Sequence, residues 1–229
     1  MHGTVNAAMT SWLMPKMVRD TSVAPWMRIG AAIMLVRSTS SRNASSIVPD
    51  AESLSLPSEA FNRVYVGTLE RWGIYVNGVN PVARANTCPV LSQPAEPSFH
   101  AFCFTAPAAA DAPRSFVIAG SGEAPEGRGN YRDHIVARGD TSPAALRRKA
   151  LCVLGEMERR MAAFGGAWQD TTAVRLYTQF DVHPFVADEL ARRGAMRHGL
   201  TWHFNRPPVR EIDYEMDCRA IHAEHVVAT

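Results

Sequence analysis

Cysteine is scarce: Cys88, Cys103, Cys152 and Cys218 are the only four in 229 residues, and no two have CxxC spacing. That excludes a zinc site or a disulfide framework as the organising device and leaves reduced, mostly buried thiols in a cytoplasmic protein. Net charge is nearly absent as well, because 24 Lys and Arg stand against 22 Asp and Glu, leaving +2. With the basic residues dispersed, neither a nucleic acid nor a membrane surface is an expected partner. Long hydrophobic runs are missing too. The apolar run of the first 58 residues, "IGAAIMLV", is too short to span a bilayer. No repeat of solenoid length is visible either.

What is present suffices for a core: 46% of the residues are hydrophobic, enough for one large domain or two small ones. Residues 1–58 are rich in Met and Ser, and Lys16, Arg19, Arg28, Arg37 and Arg42 outnumber Asp20, Asp50 and Glu52. They read as a poorly ordered or loosely packed extension rather than a targeting signal, since no small-residue cleavage motif clearly follows the apolar run. In residues 59–96, "NRVYVGTLERWGIYVNGVN" reads as a β-hairpin with turns at Gly73 and "NG". The proline-rich "NPVARANTCPVLSQPAEP" behind it reads as an irregular connector, with a boundary at about residues 90 to 97.

Residues 97–229 carry the clearest pattern. "SFHAFCFTAP" and "SFVIAGSGEA" are strand candidates that together suggest a second hairpin, followed by a Gly-rich surface loop. A long helix begins at Thr141 or Ser142, with Pro143 in its first turn. Leu146, Ala150, Val153, Leu154, Met157, Met161 and Phe164 share one face, and Gly165 and Gly166 end the helix. Then come a strand in "TTAVRLYTQF", a short helix in "HPFVADELARRG", and strands in "GLTWHF" and "EIDYEMDCRAI". The order β-β-α-β-α-β-β predicts an α+β domain with its helices on one sheet face, preceded by an extra N-terminal β-rich segment.

The last strand alternates cleanly. Tyr214, Met216 and Cys218 belong under the long helix, while Glu215, Asp217 and Arg219 fall on the other face with Tyr177, Gln179, Thr201 and His203. Such a mixture of charged and aromatic groups favours a cleft or an interface, and Arg197 stands near one end of it. A guanidinium there could grip a carboxylate bidentately or make a surface salt bridge. Among other motifs, "GSGEAPEGRG" lacks the GK[ST] ending of a phosphate loop and reads as a turn. "HAEH" at 222–225 has metal-like spacing without a third ligand and reads as a solvated tail, so no metal site is expected.

Residues 98–221 resemble the YjgF/RidA family. The resemblance rests on "FVIAGSGEA", on "ALRRKALCVLGEMERRMAAFGGAWQDTTAVRLYTQFD", and on "AMRHGLTWHFNRPP" with "YEMDCRAI". It implies a chorismate-mutase-like domain that assembles as a homotrimer with intersubunit clefts. It also implies hydrolysis of a small carboxylate-bearing enamine or imine, of the 2-aminoacrylate or aminomuconate type, to a carbonyl and ammonia without metal or organic cofactor. Carried over by position, Arg197 holds the substrate carboxylate and Glu215 positions or activates water. Gly120, flanked by Ala119 and Ser121, lines the pocket, with Tyr177 and His203 nearby. Two other readings are a non-catalytic trimeric protein that binds or senses small ligands, and an endoribonuclease, against which the weak net charge argues.

Overall fold

The computed structural model describes residues 33–36, 63, 66–80, 82–91, 98–103, 109, 111–125 and 130–225. These fall into two compact units: the described residues from 63 to 82 form one, and residues 33–36 with all described residues from 83 onward form the other. No described helix is long and apolar enough to cross a membrane.

In the first unit the expected hairpin is half right. Residues 66–71 are helical rather than extended, Leu69 is buried, and the Ile74 N–H closes the following turn onto the Leu69 carbonyl at 2.9 Å. The "NG" turn does form. Asn77 and Gly78 take φ of 53° and 77°, and Val76 and Val79 bridge across them, which is the two-residue turn that suits hairpin twist.

The described residues of the second unit form two four-stranded sheets. One has the order β3-β1-β2-β7, built from β1 (Ile33–Val36), β2 (Arg84–Pro89), β3 (Ser98–Phe102) and β7 (Asn205–Arg206). The other has the order β4-β8-β5-β6, built from β4 (Phe116–Gly122), β5 (Ala173–Tyr177), β6 (Thr201–His203) and β8 (Glu215–Ala220). The expected hairpin of β3 with β4 is not what forms. β3 runs antiparallel to β1, and β4 runs antiparallel to β8. The proline-rich connector is likewise not wholly irregular, since "RANTCP" is strand β2, with its proline at the last position. Of residues 1–58, expected as a loose extension, only β1 is described, and the rest lie outside the described residues.

Helix α1 (Pro143–Ala163) forms where the pattern places it. The Ser142 hydroxyl accepts the Ala145 N–H and so caps the first turn, with Pro143 at N1. Its C-terminus closes through Gly165 at φ 67°, Gly166 N–H returning to the Met161 carbonyl at 2.9 Å. The Arg114 guanidinium donates to the Phe164 and Gly165 carbonyls, satisfying acceptors that no helical N–H can reach. Leu146, Ala150, Val153, Leu154, Met157 and Met161 are buried against Phe116, Ile118, Val174, Leu176, Met216 and Cys218. Helix α2 opens as an α-turn at His183–Phe185 and widens to a π-type segment, Val186–Ala191, adding Phe185 and Leu190 to the same core.

Candidate active site

Strand register fixes the geometry of the sheet face opposite α1. Glu215, Tyr177 and His203 lie side by side across β8, β5 and β6. The next row on that face is Asp217, Arg175 and Thr201, and beyond it Arg219 stands opposite Ala173 and Val117. This is the set of polar residues that alternation puts together, but the face is not open. The β3-β1-β2-β7 sheet of the same chain covers it: Ala85 of β2 packs on Tyr177 and stands against Gly120. Glu215 is left 7% exposed and Asp217 8%. Asp217 is therefore buried by a sheet of the same chain that sequence periodicity does not reveal.

Gly120 sits in a β-bulge. Ile118 pairs with Cys218 and Ser121 with Met216, so Ala119 and Gly120 together oppose the single residue Asp217. A methyl group on Gly120 would overlap Glu215 Oε1 and stand 3.0 Å from the Ala85 Cβ. The absent side chain is what allows the carboxyl to lie there. Ser121 is turned the other way, since its partner Met216 is in the helix-side core, and its hydroxyl accepts from Arg160 at 3.4 Å. Ala119 contributes its carbonyl to the same guanidinium at 3.0 Å. Ser121 is thus an anchor for α1 rather than a lining residue.

Electrostatics single out Glu215. Burial, then the neighbouring Asp217 and Glu123 carboxyls, push its pKa up to about 8, and Arg160 offsets this only in part. Asp217 is also raised by burial, countered by the Tyr177 hydroxyl, which donates to Oδ2 at 2.6 Å, and by Arg175 and Arg219. Desolvation and Arg175 lower His203 to about 4, so its ring is neutral at ordinary pH. Tyr177 and His203 stack with centroids 5.1 Å apart, and His100 of β3 meets His203 edge-on at 5.8 Å. Titratable groups so perturbed, in one cluster, are the usual mark of chemistry.

Arg197 is not part of this cluster within one chain. It is exposed and donates to the Gln169 carbonyl at 3.3 Å, just before the N-terminal end of β5, whereas Glu215 pairs with Tyr177 at the C-terminal end. The length of β5, about 13 Å, separates them. A buried ion cluster at the other end went unforeseen. Lys149 of α1, fully buried, meets Glu123 at 3.3 Å and also Asp213, while Glu123 accepts the backbone N–H groups of Asp213 and Tyr214. It ties α1 to the segment that enters β8 and holds the Glu123 charge near Glu215. The one available signal was a lysine on the buried stripe of α1. Among the described residues no group of three His, Cys, Asp or Glu could hold a metal ion, and His222 and His225 of "HAEH" are exposed.

Residues 57–225 match the family model described as 2-aminomuconate deaminase CnbZ. A 2-amino-5-chloromuconate deaminase of Comamonas testosteroni is 49% identical over 168 residues, covering 73% of this chain and 67% of that protein. No solved structure matches. A buried, proton-retaining glutamate on a bulged sheet is thus set in a chain that belongs to the 2-aminomuconate deaminase CnbZ family.

Proposed function

We propose that this protein hydrolyses a 2-aminomuconate-type enamine to the corresponding 2-oxo acid and ammonia, with Glu215 as the proton-transfer group. The observation that carries the reading is the buried Glu215 carboxyl, held protonated to about pH 8 and lying over Gly120. An enamine must gain a proton on carbon before water can attack. The Glu215 carboxylic acid donates that proton and the C=C–NH2 group becomes an iminium. The resulting carboxylate then takes a proton from the water that adds to the C=N carbon, and the carbinolamine expels ammonia as the carbonyl forms. Tyr177 and Asp217 hold the cluster rigid, and the neutral His203 ring bounds it.

The register of β4, α1, β5, α2, β6 and β8 also supports reading this part of the chain as the chorismate-mutase-like unit of the RidA/YjgF resemblance, with trimeric assembly as its corollary. Arg197 has no part in the reaction of its own chain on this reading. The test is ammonia release from freshly generated 2-aminomuconate by wild type and Glu215→Gln. The amide cannot give up a proton, so kcat/KM should fall by about 10²- to 10⁴-fold. Wild-type activity should decline above about pH 8, as the acid form is lost. A Glu215→Gln protein with wild-type turnover would overturn the assignment.

A further inference from the structure

The bulge at Ala119 and Gly120 is held from the helix side by a residue with no part in the chemistry above. Arg160 lies on α1 with its side chain only 13% exposed, and each of its three guanidinium nitrogens is committed. Nε donates to Glu156 Oε1 at 2.7 Å, Nη1 to the Ala119 carbonyl at 3.0 Å and Nη2 to the Ser121 hydroxyl at 3.4 Å. The last two acceptors flank Gly120, whose missing side chain makes room for Glu215. A bulge interrupts the strand ladder locally, and its polar groups need partners from elsewhere. A planar fork fixed at three points is a rigid partner. Glu156, which Arg159 and then Arg160 hold at a pKa of about 2, stays ionised and anchors it. Arg159 grips the same Glu156 from solvent, 68% exposed.

Resting on the deaminase reading above, we propose that Arg160 is a positioning residue of the reaction, bracing the bulge so that Glu215 stays seated over Gly120. It acts through Glu215 rather than on the substrate. Its charge also reaches the carboxyl, whose pKa it lowers against burial, Asp217 and Glu123. The other titratable or charged side chains around this end of the sheet are Arg219 on β8, Tyr177 and Arg175 on β5, His203 on β6 with His100 of β3 against it, and Lys149 on α1 beside Glu123. β2 presents the uncharged Ala85. Arg160→Met keeps the apolar stem and removes both brace and cation. Ala85 still covers the carboxyl, so losing the cation decides the sign and the Glu215 midpoint rises. Arg160→Lys keeps the cation but not the fork.

Full-chain Arg160→Met, Arg160→Lys and Arg159→Met proteins test this. By carboxyl-carbon NMR the Glu215 midpoint should rise by about half a unit in Arg160→Met, less than the ~1–3 units of an unpaired neighbour because Glu156 cancels part of the field. It should stay near 8 in the other two. In 2-aminomuconate turnover Arg160→Met should lower kcat by about tenfold, short of the ~10²-fold of a 1 Å misplacement. In the Glu215→Gln background it should change nothing, because no acid is left to position. Arg160→Lys should recover most of the loss, and Arg159→Met should match wild type. Urea denaturation identifies a folding defect, and if Arg160→Met does not fold, Arg160→Gln replaces it with the same expected rise. An unchanged midpoint in the folded variant, or equal kcat losses in both backgrounds, overturns the brace. A wild type that releases no ammonia while its Glu215 midpoint still depends on Arg160 defeats the deaminase reading alone. Turnover with a midpoint indifferent to Arg160 defeats the brace alone.

Discussion

Replacing Gly120 by alanine should damage the enzyme in two measurable ways. The new methyl has nowhere to go: Glu215 Oε1 occupies its position on one side, and the Ala85 Cβ and Cα stand at 3.0 and 3.2 Å on the other. The β2 backbone cannot withdraw without disturbing its ladders to β1 and β7, so the carboxyl yields. Overpacking of this kind costs about 1–3 kcal/mol, against about 0.4–1 kcal/mol regained because alanine restricts the unfolded chain. A net loss of about 1–2 kcal/mol in urea denaturation is expected. Displacing Glu215 by about 1 Å should lower kcat/KM by about 10²-fold. Gly155 in α1 is the internal control, since nothing lies within 4 Å of its Cβ position. Gly155→Ala should stabilise by about 1 kcal/mol without changing turnover. Wild-type kcat/KM and stability in Gly120→Ala would refute the claim that the bulge exists to seat Glu215.

Two other substitutions probe the frame. Lys149→Met leaves the buried Glu123 and its neighbour Asp213 without their cation, so stability at neutral pH should drop by about 3–5 kcal/mol, with partial recovery in the Lys149→Met, Glu123→Gln double variant. A loss under about 1 kcal/mol would show that the cluster is solvated. Arg197→Ala should leave kcat/KM within about twofold, as expected of an exposed residue far from the cluster. A large loss would mean that a second copy of the chain brings Arg197 to the site.

Much of the helical half was legible because its signals are local. Ser142, Pro143, the apolar stripe from Leu146 to Met161 and Gly165 each act within a turn or two of the chain. The alternation of β8 likewise divided Tyr214, Met216 and Cys218 from Glu215, Asp217 and Arg219, and the structure keeps that division. Strand partners were not legible. β3 and β4 are neighbours in sequence, which favours a hairpin, yet β4 finds β8 almost a hundred residues later. β2 hides in a proline-rich stretch because its backbone bonds to β1 and β7 outweigh its weak side-chain pattern. Without β2 the polar face reads as a cleft or an interface, whereas in the structure the β2 sheet of the same chain buries Asp217. Position alone put Arg197 near one end of the polar face and only the resemblance gave it a substrate role; its bond to the Gln169 carbonyl sets it at the end of β5 opposite Glu215.

The central claim is that Glu215 keeps its proton at neutral pH, and carboxyl-carbon NMR of glutamate-labelled protein, assigned with Glu215→Gln, observes that proton directly. The account predicts a resonance that titrates near pH 8 and is protonated at pH 7. A midpoint near the ordinary glutamate value of 4.5 would contradict it and leave the site without its acid.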